Sequence, residues 1–245
     1  MGRLFAPDSG LNRVLGTLAD IVLLNLLFLF CSIPVITIGA SFSAMYSVAL
    51  KIASDRSGGV FKPFFRAFKG SFLKATAMWL IYLALGAAIY FGLAIINAEG
   101  MSWFFKLIYG IITVLLLISL AWVWALEAQF ENGIFRTMKN SLILGITHPF
   151  ITVAAAALNL LLPASLLLGG DVFARLGFIW FLFGFSGIAI LNSRMFGGVF
   201  AGYIEQMNKA AAAGAGKEDR NAESDAAGED IRKDEGAAAP EKKDN

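Results

Sequence analysis

Residues 21–50 run for 30 positions without a charged side chain, and Pro34 sits in the middle of the run. Water is a poor solvent for such a stretch. A helix needs roughly 20 apolar residues to cross the ~30 Å hydrocarbon layer of a bilayer. Four further segments meet that length or approach it, at about 74–96, 104–126, 150–168 and 176–191. Composition agrees: 58% of the chain is apolar and 16% charged, against about 45–50% and 25% in soluble domains. The expected fold class is all-α, a polytopic helical membrane protein with about six membrane helices.

Thirty residues are long for one span and short for two. Pro34 removes a backbone donor and disfavours helix at the preceding residue, and Gly39 supplies a second break. The pattern predicts a helix near 14–32, a turn over 33–40 and a helix near 41–53. Together they make a short Pro-broken hairpin or re-entrant pair, whose irregular backbone needs shielding from lipid. Asp20 and Asn25 interrupt the start of the run, and Phe30 stands before the single Cys31 where a lipoprotein signal needs a small residue. The first segment therefore reads as retained.

Charge bias orients the chain. Residues 51–74 carry Lys51, Arg56, Lys62, Arg66, Lys69 and Lys74 against the single acid Asp55, which assigns this segment to the cytoplasm. The stretch 127–149, expected as a loop, returns to the same side with Arg136 and Lys139. A hairpin at 21–50 places both termini inside and 11 of the 13 basic residues of the body on the cytoplasmic side. The motifs RAFKGS at 66–71 and RTMKNS at 136–141 share Arg, Lys and Ser at an offset of 70, the pattern a parallel duplication would leave. Beyond the helical membrane domain (1–207), residues 208–245 hold Ala, Gly, Glu, Asp and Lys with no aromatic side chain, the composition of a disordered charged tail.

Past Pro63, a helix would place Phe61, Phe65, Phe68 and Phe72 on one stripe and Lys62, Arg66 and Lys69 on another. That pattern suits a helix lying in the lipid interface, with a coupling helix docking a cytoplasmic partner as the sharper reading. Within the spans, Asp20, Asn25, Glu127, Asn159 and Asn192 are the costly polar positions. Asp20 and Glu127 are candidates for a solute path, although both lie near span ends. The three asparagines fit hydrogen bonds between helices, and Ala84, Ala88 and Gly92, with Gly198 and Gly202, fit close helix packing. Trp79, Trp103, Trp122, Trp124 and Trp180 fall mostly toward span ends, as an aromatic belt would. The lone His148 precedes Pro149, and no metal-ligand spacing, phosphate loop or nucleophile elbow is visible. No catalysis, cofactor, metal or nucleic-acid partner is expected; the bilayer is the expected partner.

The stretch CSIPVITIGASFSAMYSVAL, with Ile33, Pro34, Thr37, Gly39, Ala44 and Tyr46, resembles the YesL-like family of bacterial multi-pass membrane proteins. Phe135, Lys139, Asn140 and Ser141 of the second loop extend the likeness, which covers roughly residues 1–207. The resemblance implies a place beside carbohydrate-uptake and polysaccharide-degrading systems, and carries over no catalytic residue. Two functions follow as expectations. One is an auxiliary or regulatory inner-membrane component of saccharide uptake, contacting subunits of a sugar transporter through cytoplasmic loops. The other is an autonomous small-solute transporter using Asp20 or Glu127. The 34–39 turn, including Thr37, resembles the broken helices of transporters as well as a plain hairpin turn.

Overall fold

The computed structural model describes residues 10–55, 58–100, 102–167 and 170–209. Among them helices are joined by short turns, and there is no strand. The expected tail lies outside the described residues, apart from 208 and 209. The chain divides into two compact units, Met1–Gly197 and Gly198–Asn245. In the second, residues 198–209 are helical, and Lys209 pairs with Glu205 one turn away at 2.7 Å.

In the first unit, α1 spans Gly10–Cys31 and α2 spans Ile38–Ala53, with a 3-10 turn at Val35–Thr37 between them. The break falls at Pro34 as the sequence predicts, but it is tighter than 33–40. Gly39 and Ala40 belong to α2, so Gly39 is not a second helix breaker. Its role is close approach: a Cβ on Gly39 would run into the carbonyl oxygen of Ala75 and the Cβ of Trp79. Trp79 also donates its indole N–H to the carbonyl of Val35 at 2.8 Å, satisfying backbone freed by the turn.

The longest element, α3, runs unbroken over Phe61–Ala98. Its 38 residues span about 57 Å at 1.5 Å per residue, nearly twice the hydrocarbon thickness. The Phe/Lys segment is therefore not a separate helix turned into the interface. It continues the axis of the apolar segment, because Pro63 occupies the first turn, where a missing N–H breaks no bond. Gly39 meets α3 at Ala75, and only a short link joins Ala53 to Phe61. Ser47 faces the same cleft as Ala67 and Ser71. These contacts set α2 antiparallel to the cationic half of α3, where the fully buried Phe64 and Val60 pack.

Gly100, at φ +62°, ends α3 in the left-handed conformation that suits a helix terminus, and α4 (Trp103–Gln129) returns antiparallel. A Cβ on Gly92 would strike the Tyr109 ring, so the small-residue spacing serves packing between α3 and α4. The stretch expected as a loop after Glu127 instead forms α5 (Ile134–Thr147), which buries Thr137, Ser141, Leu144 and Gly145. Its apolar positions recur at helical spacing and cover α4, which the charge count alone did not reveal. After His148 the chain bends by 108° into α6 (Pro149–Leu167). A further helix, α7 (Gly170–Ile179), passes through a π-helical turn at Trp180–Gly184 and resumes as helix from 185.

Among the described residues, five helices are long and apolar enough to cross a membrane, at Val14–Cys31, Val35–Ala53, Phe61–Ala98, Trp103–Gln129 and Arg175–Lys209; counting the bent α5–α6 pair as one span gives six. The chain is thus an all-α polytopic helical protein of the membrane type. The tryptophans do not form a belt, however. Trp122 and Trp124 are buried in the bundle, while Trp103 is exposed.

Replacing Gly39 by Val should force α2 away from α3. The expected loss is about 2 kcal/mol or more, the cost of overpacking a tight contact, read as a lower midpoint of thermal unfolding in detergent. A midpoint equal to that of the parent chain would refute the close approach.

Candidate functional site

Three helix breaks create backbone groups without helical partners, and each is met by a polar side chain. At the first, Thr37 Oγ1 lies 2.7 Å from the carbonyl of Cys31 and 2.8 Å from that of Pro34, so its one proton is shared over the end of α1. Pro34 and Thr37 are thereby parts of a stitched turn that exposes no free carbonyl of these two residues.

At the second, the fully buried Asn25 donates to the carbonyls of Trp180 (3.1 Å) and Phe181 (2.7 Å), and accepts from the backbone N–H of Ser186 at 3.0 Å. A π turn leaves carbonyls without their usual donors, and one amide side chain satisfies both sides of it. Ser186 Oγ reinforces the junction by donating to the carbonyl of Ile21 at 2.9 Å. At the third, Thr152 Oγ1 donates toward the carbonyls of Gly145 (2.8 Å) and His148 (3.0 Å) and accepts from the indole N–H of Trp122 at 2.9 Å. Sequence inspection passed over Thr152, since a threonine three residues after a proline looks ordinary until the chain is known to bend there.

Glu127 and Lys74 form the charged centre. Glu127 lies two residues from the C-terminus of α4, where the helix dipole disfavours an anion. Its side chain is 3% exposed, and Lys74 Nζ on α3 stands 2.7 Å from Oε2, itself 27% exposed. The angle at the fully enclosed Oε2 is poor for a hydrogen bond. The short separation is what identifies the ion pair. Both residues line an open polar cleft of about 580 Å³ with Ser47, Ser71, Gln129 and Asn132.

The remaining candidates are dispersed. Asp20 is half-buried on α1 and takes part in no ion pair among the described residues. It does not join Glu127 in one site. On the cationic half of α3, Lys62, Arg66 and Lys69 are exposed, while Phe65, Phe68 and Phe72 are half-buried. Phe61 meets Phe65 at a tilt with 4.9 Å between ring centroids and Phe68 meets Phe72 edge-on at 5.6 Å, and Phe64 touches both Phe65 and Phe68, so the rings form a ladder beside the cations. Phe64, which belongs to neither expected stripe, anchors the segment to the core.

Tyr82, Ser119 and Ser141 add a buried hydroxyl chain across α3, α4 and α5, with 2.5 Å and 2.7 Å between successive oxygens. Asn192 donates from Nδ2 to the Tyr46 hydroxyl at 3.1 Å and lies 3.5 Å from Asn159 Oδ1, the interhelical role expected of both amides. Among the described residues no cluster of three His, Cys, Asp or Glu side chains could hold a metal ion.

Residues 21–93 match the family described as "Protein of unknown function, DUF624". The matched stretch takes in Asn25, the Pro34–Thr37 turn, Gly39, the Phe/Lys segment and Lys74, and stops short of Glu127. No curated protein and no solved structure matches the chain. The DUF624 likeness thus runs from the second half of α1 through most of α3, the stretch in which the turn, the glycine contact and the cationic ladder are built.

Lys74→Met would strand a buried carboxylate. The expected loss is about 2 kcal/mol, below the 3–5 of fully buried pairs because Lys74 is a quarter exposed. Adding Glu127→Leu should recover most of it. Equal thermal midpoints for the single and double variants would show that the two side chains act independently. Asn25→Leu removes three bonds from buried backbone, and should cost about 2–4 kcal/mol by the same assay.

Proposed function

We propose that this chain is a multi-pass protein of the bacterial cytoplasmic membrane that assists saccharide uptake, docking beside a transporter through the cationic half of α3. The observation that carries the reading is the unbroken course of α3. Residues 75–98 suffice to cross the hydrocarbon, which leaves the 14 residues 61–74 as an arm of about 21 Å. Lys62, Arg66 and Lys69 project from it, and α2 braces it through Phe64. A braced helix presents a preordered face, so a partner binding it orders little chain.

The basic residues of 51–74 favour the cytoplasmic side for this arm. The tip of the α1–α2 pair, at Val35, reaches only to Trp79, about one turn past Lys74. That depth suits a re-entrant pair with both ends on the inner side, and so both termini inside. The saccharide assignment comes from the YesL-like resemblance, with which the DUF624 match agrees.

A second reading, an autonomous small-solute transporter, is favoured by the Lys74–Glu127 pair at an open polar cleft. A buried ion pair at a cleft is a common seat of solute or proton coupling.

Recovery of transporter subunits with the tagged full chain from native membranes tests the first reading. The triple variant Lys62→Glu, Arg66→Glu and Lys69→Glu should lower that recovery at least tenfold while the protein still inserts. Repeated recovery of no subunit would overturn it. Solute flux in proteoliposomes, abolished by Glu127→Gln, would establish the second reading instead. A reagent confined to the outer face that labels a cysteine at position 3 would overturn the orientation.

A further inference from the structure

A cavity of about 330 Å³ lies in the first unit, apart from the Lys74–Glu127 cleft and the cationic half of α3. Its walls are unusually aromatic, with Phe42, Tyr46, Trp79, Trp124, Trp180 and Phe185 drawn from four different helical segments. Phe42 stacks near-parallel on Trp124 at 5.7 Å, and Phe28 holds Phe42 and Phe185 from behind at 4.8 and 5.0 Å. The walls are therefore fixed by their own contacts. The volume falls at the low end of the roughly 300–1,000 Å³ of ligand pockets.

Among the described residues, no Asp, Glu, Lys, Arg or His lines the cavity. A charged ligand would be desolvated there without a counter-charge, at heavy cost. The polar groups lie together: the Tyr46 hydroxyl and the Asn159 amide, linked by Asn192. Asn192 is fully buried, and its Oδ1 has no hydrogen-bond donor. Asn192 stands behind the wall, so the polar groups that a hydroxyl-bearing guest meets are the Tyr46 hydroxyl and the Asn159 amide. Asn159 and Leu160 are also exposed at the surface of α6, so the cavity is reached from a face that elsewhere carries apolar side chains such as Val153.

We infer that this cavity binds an uncharged amphiphile from the bilayer, a compact ring system carrying a hydroxyl. The ring packs between the indoles and phenyl rings, whose faces favour stacked apolar contact. The hydroxyl turns toward Tyr46 and Asn159. The cavity is separate from the docking arm, so either assignment can fail without the other.

Three of the five tryptophans line the cavity, so their emission reports its occupancy. The purified full chain in lipid nanodiscs is titrated with decahydro-2-naphthol, decalin and decahydro-2-naphthoate, none of which absorbs where tryptophan does. The alcohol should saturate at one per chain and bind about tenfold more tightly than decalin, the worth of one hydrogen bond. The carboxylate should bind at least a hundredfold more weakly than the alcohol. Ala156→Phe, which fills the cavity, should abolish the saturable signal, and Tyr46→Phe should level alcohol and hydrocarbon. Should either variant fail to fold, Leu160→Trp at the mouth and Asn159→Leu at the polar edge replace them. A signal that rises linearly and identically in parent and filled variant would overturn the assignment and leave a lipid acyl chain as the occupant. Equal affinity for alcohol and carboxylate would overturn it as well.

Discussion

Lipid offers the backbone no hydrogen bonds, and among the described residues the helical ladder is disturbed at Pro34, at the bend after His148 and at the π turn of Trp180–Gly184. Each break becomes tolerable through a side chain that acts as a surrogate for the missing helical partner. Thr37 shares a proton between two carbonyls, Thr152 does the same across a 108° bend, and Asn25 supplies two donors and an acceptor to the π turn. The surrogates also bind the architecture together. Asn25 lies on α1 and its partners lie more than 150 residues away, so satisfying the π turn fixes α1 against the last helix of the unit. In water a bound solvent molecule could fill these roles and leave the helices free to shift. In hydrocarbon the pairing and the packing are one constraint.

The ion pair and the aromatic cavity sit on opposite terms with that constraint. Lys74 and Glu127 are costly to bury, and they persist at the end of α4 where a cleft admits water to one of them. Among the described residues the cavity wall carries no charged side chain, and its polar groups are amide, hydroxyl and indole. Polar chemistry is therefore sorted by depth: ions where solvent reaches, neutral hydrogen bonds where it does not. Cleft and cavity share no wall residue, yet α2 lines both, through Ser47 on one and Phe42, Met45 and Tyr46 on the other.

The helical class, the break at Pro34 and the α3 and α4 spans were legible from apolar run length and proline alone. Both are local signals that tertiary contacts seldom override in a membrane setting. Gly39 was misread because a glycine that breaks a helix and a glycine that admits a neighbouring backbone look alike until Ala75 is placed beside it. The helix α5 was missed for a related reason. Arg136 and Lys139 give the expected sidedness of this segment, but say nothing of whether its apolar positions find α4 to cover. Trp124 was assigned to a surface belt, and Phe64 to no stripe at all, because an aromatic residue suits lipid and core equally well. Glu127 stood out through the cost of burial, whereas its partner Lys74 looked like one more basic loop residue.

The offset of 70 that relates RAFKGS to RTMKNS also superimposes α2 on the middle of α4, and α3 on α5 plus α6. Under it Trp79 corresponds to Pro149. In the first half the helix continues straight through that position, and the indole is spent on the carbonyl of Val35. In the second, proline withholds an N–H, the helix folds through 108°, and Thr152 with Trp122 takes up the freed carbonyls. If the halves descend from one unit, a single substitution at this point separates a straight arm from a bent pair. The straight half keeps a projecting cationic face, while the bent half swings α6 across the bundle to close one wall of the aromatic cavity. Interaction surface and cavity would then be two outcomes of the same helix, decided by whether one backbone N–H is present.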